Sequence, residues 1–413
     1  MAAVSTNVGG QGAHWTCAVP RPADSEKIDF IPEDEWETAI ARAEVLIGAN
    51  PEPFEKSKVG GAILNALKEE FKDDFHDGVT PIRLPLSGRE MPNGTMIWGG
   101  TDFVFGPLTD PTSPLSQRFT LRPLTMARRI LTDAGRAIGV LLEDAVTGEQ
   151  QELHSDAVVV AADAMRTPQL LWASGIRPKA LGHYLTEHPV IFSCIALDGE
   201  KMSRFAKESD LDEERALAAL SPGDPISAVT RVPFQEPQHP FSAQIMYVTK
   251  TPFPLPEGDP FKDNPWGYAM AGWGLRKFPR YEDALTFDDN ELDYRGFPNI
   301  TIEYSLTERE LAEGEEAKKF QARAAEALGQ FVPGPGMPKL MPPGTSLHYM
   351  GTFRIGPKND GTSVCDDTSK VWDYDNLFLG GNGTIPTANC VNPTLTSVAI
   401  AVRGAHKLIT ELT

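Results

Sequence analysis

The C-terminal stretch, residues 376–412, constrains the fold more than any other part of the chain. It begins with a short apolar run, Asn-Leu-Phe-Leu, that ends at Gly380-Gly381, which is typical of a buried strand. A loop rich in Gly, Thr, Asn and Pro follows over residues 382–391. Asn392-Pro393-Thr394 then predicts the start of a helix, because Asn is a good N-cap and Pro suits the first helical position.

Apolar residues spaced alternately by three and four predict one buried face for this C-terminal helix: Leu395, Val398, Val402, Ala405 and Ile409. A strand, a loop and a helix N-terminus in this order favour an anion or an electron-rich ring as ligand. The reason is that free N–H groups and the positive end of the helix dipole point at the ligand. The pattern alone fits an ordinary strand–loop–helix unit of an α/β core equally well.

The first of three motifs in the sequence lies in this stretch. It combines Gly380-Gly381, the G-x-I-P-T sequence that begins at Gly383, and N-P-T at Asn392. Together they resemble the C-terminal signature of the glucose–methanol–choline (GMC) flavin oxidoreductases. At position 392 this sequence has Asn where the signature otherwise has His, and in this respect it resembles the pyranose 2-oxidase and glycoside 3-oxidase branch. The resemblance implies FAD as cofactor and Asn392 as a catalytic residue that faces the reacting carbon. It also implies flavin contacts from Asn382, Gly383, Pro393 and Thr394.

A second motif lies near the N-terminus, where Gly9-Gly10 is followed by His14-Trp15-Thr16. Glycines let a backbone approach a ligand closely. The same branch has a His-Trp-Thr tripeptide after a double glycine, so the resemblance implies flavin contacts from all five residues. Gly12-Ala13 precedes His14 where members with a covalent flavin–histidine bond have Ser-Thr. This difference favours FAD bound without a covalent bond.

A third motif, residues 346–356, reads SLHYMGTFRIG and resembles the family's H-x-x-G-T-x-R-x-G. In that motif the His is the catalytic base, which assigns this role to His348. His348 precedes Asn392 by 44 residues, and the family keeps its His/Asn pair at nearly that separation. The alternative is a hydrogen-bonded core histidine. The remaining histidines are predicted to be structural: His76, His154, His183, His188, His239 and His406.

The middle of the chain is predicted to carry the substrate region. Residues 235–246 resemble the segment that leads into the family's substrate loop, and Gln244 is the candidate sugar contact. A polar residue on a half-exposed strand is the alternative interpretation of Gln244. Residues 249–264 are rich in Pro and are predicted to form a mobile lid.

The family opens with a strand–G-x-G-x-x-G–helix unit that binds the ADP half of FAD, and this sequence contains no such motif. We therefore expect either a longer protein or a separate chain that supplies this half. The predicted fold class is α/β (α+β), with a Rossmann-like FAD-binding domain that lacks its N-terminal βαβ unit. The second domain is predicted to be a large, mainly antiparallel sheet covered by helices. The predicted FAD domain spans residues 70–188 and 346–413, and the substrate domain residues 1–69 and 189–345.

Local patterns predict most of the secondary structure. Helices are expected over residues 32–50 and 58–71, and a capping box at Thr307 predicts a long helix with Leu311, Phe320, Ala324 and Leu328 inward. Residues 119–162 read as short strands, of which 158–161 is expected to be fully buried. A small-residue turn follows, with Asp163 where the family usually has Gly. Residues 82–113 are rich in Pro and Gly and are predicted to be a covering loop without regular structure.

Composition excludes several classes of protein. The net charge of −19 argues against nucleic acid or an anionic membrane as partner. The four cysteines lack metal-like spacing and do not form a disulfide framework, so no metal site is predicted. No run approaches membrane-spanning length, and no secretion signal is recognisable. These observations predict a cytoplasmic protein. A homo-oligomer, or a partner chain that supplies the missing N-terminal half, is left open by the sequence.

The predicted function is FAD-dependent oxidation of a secondary hydroxyl, C2 or C3 of a pyranose or glycoside, to a keto-sugar. Hydride passes to the flavin, and O2 is then reduced to H2O2. One alternative is a truncated, inactive or accessory chain that needs the missing half. Another is a dehydrogenase with a different electron acceptor, and a third is an enzyme that oxidises non-sugar alcohols or sterols.

Overall fold

The computed structural model describes residues 3–220 and 226–413. Within this part of the chain the largest sheet has seven strands, all paired antiparallel. Six of them follow one another in the order Gly329–Phe331, Val190–Leu197, Tyr268–Gly274, Ser242–Val248, Ile226–Val232 and Ile82–Arg83. The seventh, Lys339–Leu340, also pairs with Val190–Leu197. The prediction of a large antiparallel sheet is confirmed.

Two predicted helices, Lys58–Glu70 and Glu308–Leu328, cover this sheet. The capping box at Thr307 is confirmed, since its hydroxyl accepts from Glu310 N while the Glu310 carboxylate accepts from Thr307 N. Phe320, Ala324 and Leu328 are buried as predicted. The prediction for Leu311 is wrong, because it is 47% exposed in the first turn, on the solvent side of the helix.

A second core joins the helices Glu33–Leu46, Asp163–Ala173 and Thr394–Leu412. It includes the parallel strands Val158–Val160 and Leu377–Leu379. An antiparallel sheet of Thr125–Asp133, Arg136–Asp144 and Gln150–His154 packs on the same core. Helix Glu33–Leu46 packs against the C-terminal helix, and strand Ile82–Arg83 belongs to the large sheet. The domain division at residues 69/70, 188/189 and 345/346 stays a prediction.

Three local predictions need correction. Val159 is 55% exposed, because strand residues alternate sides and only Val158 and Val160 face the core. Ala405 and Ile409 are exposed, since the C-terminal helix extends past the core after Gly404. Residues 82–113 contain regular structure in spite of their Pro and Gly content. Leu86–Glu90 pairs with Ala49–Asn50 and Met96–Trp98, and Asp102–Thr109 is helical.

The remaining elements are short. They are the hairpin Ala284–Leu292 with Pro298–Glu303, the helices Gly199–Met202 and Asp210–Leu220, and the 3-10 turns Gly10–Ala13, Asp24–Glu26, Ser116–Arg118 and Asn382–Thr384. In residues 3–220 and 226–413 no helix is both long and apolar enough to cross a membrane.

Candidate active site

Two histidines, His188 and His348, face each other at the junction of the two cores. The backbones of Thr186 and Met350 exchange both hydrogen bonds of an antiparallel pair, at 3.0 and 2.9 Å. Continuing this register by two residues on each strand places His188 opposite His348. Their Nδ1 atoms lie 2.9 Å apart, and the rings meet edge to face. A short backbone pairing therefore brings together side chains that are 160 residues apart in sequence.

The other ring nitrogen of His188 is also bonded. Its Nε2 lies 3.0 Å from the carboxamide oxygen of Asn389, and both residues are buried. The Asn389 amide nitrogen is buried and has no hydrogen-bond partner among the described residues. The contact with His188 is therefore the one side-chain hydrogen bond that fixes Asn389 in this part of the chain.

Both histidines are expected to be neutral near pH 7. Burial lowers the pKa of His348 well below its ordinary value, and the neighbouring His188 lowers that pKa further. Burial also lowers the pKa of His188, although Asn389 and the Glu26 carboxylate oppose that shift. A neutral imidazole holds one proton and one free lone pair, so His348 is suited to accept a proton.

The second pair consists of Asn392 and Gln244. The Gln244 side-chain nitrogen donates to the Asn392 carboxamide oxygen at 2.5 Å, and Asn392 is buried. The N-cap prediction for Asn392 is therefore wrong: the helix begins at Thr394, and the Asn392 side chain bonds Gln244 instead of capping it. Because the oxygen of Asn392 is occupied, its amide nitrogen is the group that remains to donate to a ligand.

A buried carboxylate holds the loop that carries both asparagines. Glu26 Oε1 accepts from the backbone N–H groups of Cys390 at 2.7 Å and Val391 at 3.3 Å, and its Oε2 accepts from Ala23 at 2.9 Å. Glu26 is 1% exposed. The loop lies between Asn389 and Asn392, so one side chain near the N-terminus fixes the backbone between the two site residues.

The His348 motif packs directly on the turn Asn382–Thr384. Phe353 N donates to Gly383 O at 3.0 Å, and Ile355 N donates to Thr384 O at 2.9 Å. A Cβ on Gly383 would lie 2.1 Å from the Phe353 ring, so this glycine is required by packing. Two of the three predicted motifs therefore form one contiguous structure.

The N-terminal motif packs on a different segment. Trp15 Nε1 donates to Gly99 O at 2.8 Å, while His14 is exposed and bonds Ser5 Oγ at 2.8 Å. Thr16 is exposed, and Gly9, with a φ of 90°, contacts the Thr101 side chain. Within the described residues no hydrogen bond links His14, Trp15 or Thr16 to the histidine or asparagine pairs. Their role as flavin contacts stays a prediction.

The residues around the two pairs fit the ring end of a flavin. Gly381 has a positive φ, and a Cβ built on it meets no atom within 4 Å, which leaves room for a ligand beside the backbone. Gly10, in the separate N-terminal motif, also has a positive φ and open space at the position of a Cβ. Gly381 ends the buried strand and precedes the turn Asn382–Thr384. Thr396, in the first turn of the C-terminal helix, has a buried hydroxyl without a partner among the described residues. Backbone N–H groups, a hydroxyl and a helix N-terminus form a donor set suited to an electron-rich ring.

Asp163 occupies the turn after strand Val158–Val160. Its φ of 68° is in the left-handed region, which explains why the resembling family usually has Gly at this position. The Asp163 carboxylate accepts from the N–H groups of Met165 at 2.6 Å and Arg166 at 2.9 Å, both in the first turn of the helix Asp163–Ala173. This local bonding stabilises a backbone conformation that most side chains avoid.

Solved structures of similar shape establish the fold. Pyridoxine 4-oxidase from Mesorbium loti has a TM-score of 0.62 at 14% identity, over 98% of this chain and 84% of that chain. Formate oxidase has a TM-score of 0.57 at 15% identity, over 84% of this chain and 71% of that chain. At such identities the likeness establishes the fold alone.

Sequence comparison identifies the family. The family description GMC oxidoreductase matches residues 113–190 with its N-terminal part and residues 284–401 with its C-terminal part. C-glycoside 3-oxidase from Microbacterium trichothecenolyticum is 39% identical over 100% of this chain and 77% of its own length. Pyranose 2-oxidase from Tricholoma matsutake is 31% identical over 99% of this chain and 74% of its own length. The chain belongs to the GMC oxidoreductase family, whose members bind FAD.

Sequence reasoning missed three residues of the site. His188 was predicted to be structural, and Asn389 and Glu26 were not singled out. No sequence spacing marks them, because Glu26, His188 and Asn389 lie in three separate segments that meet only through backbone pairing and loop packing. The Thr186–Met350 pairing is the signal that brings His188 to His348, and it is visible only in the tertiary structure.

Proposed function

We propose that this protein oxidises a secondary hydroxyl, at C2 or C3 of a pyranose or glycoside, to a keto-sugar with FAD as the redox cofactor. The observation that carries the proposal is the hydrogen-bonded link from His348 through His188 to Asn389, which lies three residues before Asn392 on the same loop. The relatives named C-glycoside 3-oxidase and pyranose 2-oxidase support a sugar hydroxyl as the group oxidised.

His348 and Asn392 have separate roles in the reaction. Neutral His348 takes the hydroxyl proton, and its lowered pKa keeps it available as a base near neutral pH. Bound FAD supplies the acceptor for the hydride that leaves the same carbon. The Asn392 amide nitrogen donates to the oxygen on which negative charge develops.

Gln244 orients Asn392. Its donation to the Asn392 oxygen leaves the Asn392 amide nitrogen as the end that can donate to a ligand. Gln244 lies on the central strand Ser242–Val248, which is paired on both edges and is therefore a rigid support. This contact supports Gln244 as a residue that sets the position of the sugar.

Oxygen as the oxidant, with H2O2 as product, is part of this proposal, as are the cytoplasmic location and a homo-oligomeric or partnered state. A second candidate function is an accessory chain that needs another polypeptide for the ADP half of FAD. It is favoured by the exposed Val159 on the parallel strand.

An anaerobic absorption spectrum of the purified protein, before and after glucose and then a glycoside, tests the proposal. A flavin band that bleaches on addition of sugar is the expected result, and the faster substrate separates free sugars from glycosides. His348→Ala is the matched control, whose band should persist. A protein without flavin, even after incubation with FAD, would favour the accessory chain, and a flavin band that no sugar bleaches would contradict sugar oxidation.

A further inference from the structure

We propose that His188 and Asn389 are positioning residues that fix the tautomer of His348 and leave its Nε2 as the lone pair that takes the substrate proton. The inference deepens the proposed function and rests on it only for the role of His348 as base. The tautomer itself follows from hydrogen bonds within the protein.

The chain of donors and acceptors begins at Asn389. Its carboxamide oxygen is only an acceptor, so His188 Nε2, 3.0 Å away, must carry a proton. Because His188 is neutral, its Nδ1 then has a lone pair. That lone pair lies 2.9 Å from His348 Nδ1, which must therefore be the donor. Neutral His348 holds its one proton on Nδ1, and Nε2 is free.

Reversing the direction of these hydrogen bonds would leave His348 unable to act as a base. If Asn389 presented its NH2 group to His188 Nε2, the His188 proton would move to Nδ1 and would be donated to His348 Nδ1. The proton of His348 would then sit on Nε2, and no lone pair would face the substrate. The orientation of one buried carboxamide therefore selects between an active and an inactive form of the base.

The groups around the two histidines favour the hydrogen-bond direction that leaves Nε2 of His348 free. The Glu26 charge acts on His188, where it raises the pKa, and Glu26 holds the Asn389 loop through Cys390 N and Val391 N. A nearby carboxylate stabilises the proton on His188 Nε2, which lies on the loop side of that ring. The other titratable and charged groups near the pair are Glu187, which is bonded to Ser346, and Arg231 and Cys390 beside Glu26.

The arrangement also holds the ring of His348 after it accepts the proton. Protonated His348 keeps its Nδ1–H bond to the neutral His188 Nδ1, so no rearrangement accompanies proton transfer. Protonation of His188 would instead place two N–H groups 2.9 Å apart, which removes the acceptor. The active form therefore requires His188 to stay neutral.

Nitrogen NMR of the protein labelled with ¹⁵N in its histidine rings tests the tautomer without substrate, and His348→Gln identifies the His348 signals. We expect a pyrrole-type Nδ1 and a pyridine-type Nε2 for His348 in the unmodified protein and in Asn389→Asp, which presents only acceptors. Asn389→Leu should lose this preference and slow sugar-dependent flavin reduction about tenfold, as for other residues that orient a functional histidine. Asn359→Leu, at an exposed position, is the matched control.

The pH dependence separates positioning from a loss of structure. The carboxylate of Asn389→Asp raises the pKa of His188, so the acid side of the flavin-reduction profile should move to higher pH while the rate on its alkaline plateau is retained. A proton on Nε2 of His348 in the unmodified protein would overturn the inference, as would an equal loss at every pH in both Asn389 variants. If the tautomer is as expected but no sugar reduces the flavin, the proposed function fails while the tautomer assignment stands.

Discussion

The side chain of Gln244 donates a hydrogen bond to the carboxamide oxygen of Asn392, although the two residues are 148 positions apart. The bond joins a central strand of the large sheet to the loop that precedes the C-terminal helix. A residue predicted to touch substrate and a residue predicted to stabilise the reacting oxygen therefore form one unit. The contact fixes which end of the Asn392 amide faces the ligand.

Replacing Gln244 tests this unit. We expect Gln244→Leu to lower the maximum rate of anaerobic flavin reduction about tenfold, because a buried amide that loses its partner costs ~1–3 kcal/mol and Asn392 is then free to rotate. Gln330→Leu, at an exposed position in the same sheet, is the control. An unchanged rate in Gln244→Leu would show that Asn392 does not need this bond.

The pKa of His348 predicts the shape of the pH profile. Burial lowers this pKa well below the ordinary value, and the base works only when it is neutral. The rate of flavin reduction should therefore stay level as the pH falls through 6.5 and decline only in more acidic solution, when His348 becomes protonated. Stopped-flow measurement of kcat/KM against pH checks this, and a half-maximal rate above pH 6.5 would contradict it.

The bonds from the buried Glu26 carboxylate to Ala23, Cys390 and Val391 predict a loss of stability when that carboxylate is changed. In Glu26→Gln one terminal atom becomes an NH2 group that faces a backbone N–H, so at least one of the three bonds is lost. We expect the free energy of unfolding to fall by about 1–3 kcal/mol, as for a buried donor left without a partner. Thermal melting measures this, and Asp24→Asn, in the same turn but exposed, should melt like the unmodified protein.

His239 predicts a stability change that is independent of the active site. It is buried between Pro233 O and Trp273 Nε1, and burial lowers its pKa to about 4. The unfolded chain binds the proton near pH 6.5, so this residue's contribution to stability is complete above pH 6.5 and declines as the pH falls toward 4. The total loss is about 3 kcal/mol.

Urea unfolding at pH 7 and pH 4.5 measures that loss. His239→Gln should be less stable at pH 7 but show a smaller decrease between the two pH values. His154→Gln, at an exposed position, is the control and should behave like the unmodified protein. An equal pH dependence in all three proteins would assign the acid sensitivity to other groups.

Much of the fold could be predicted because local patterns fix local structure. The apolar periodicity and capping box at Thr307 specify a helix whatever surrounds it, and this helix is confirmed over Glu308–Leu328. The predictions were wrong where the structure of a residue depends on contacts with distant segments. Leu311 has the right spacing but faces solvent, and residues 86–90 became a strand because partners on both sides were available.

The sequence by itself determined the family motifs, the elements that carry them and the candidate residues His348, Asn392 and Gln244. Only the tertiary structure decided how these side chains are oriented. Asn392 bonds Gln244 instead of capping its helix, and His188 and Asn389 enter the site through pairings across 160 and 201 residues. The physical reason is that a helix cap or an apolar stripe is a local property, whereas the direction of a buried hydrogen bond depends on groups that distant segments bring to it.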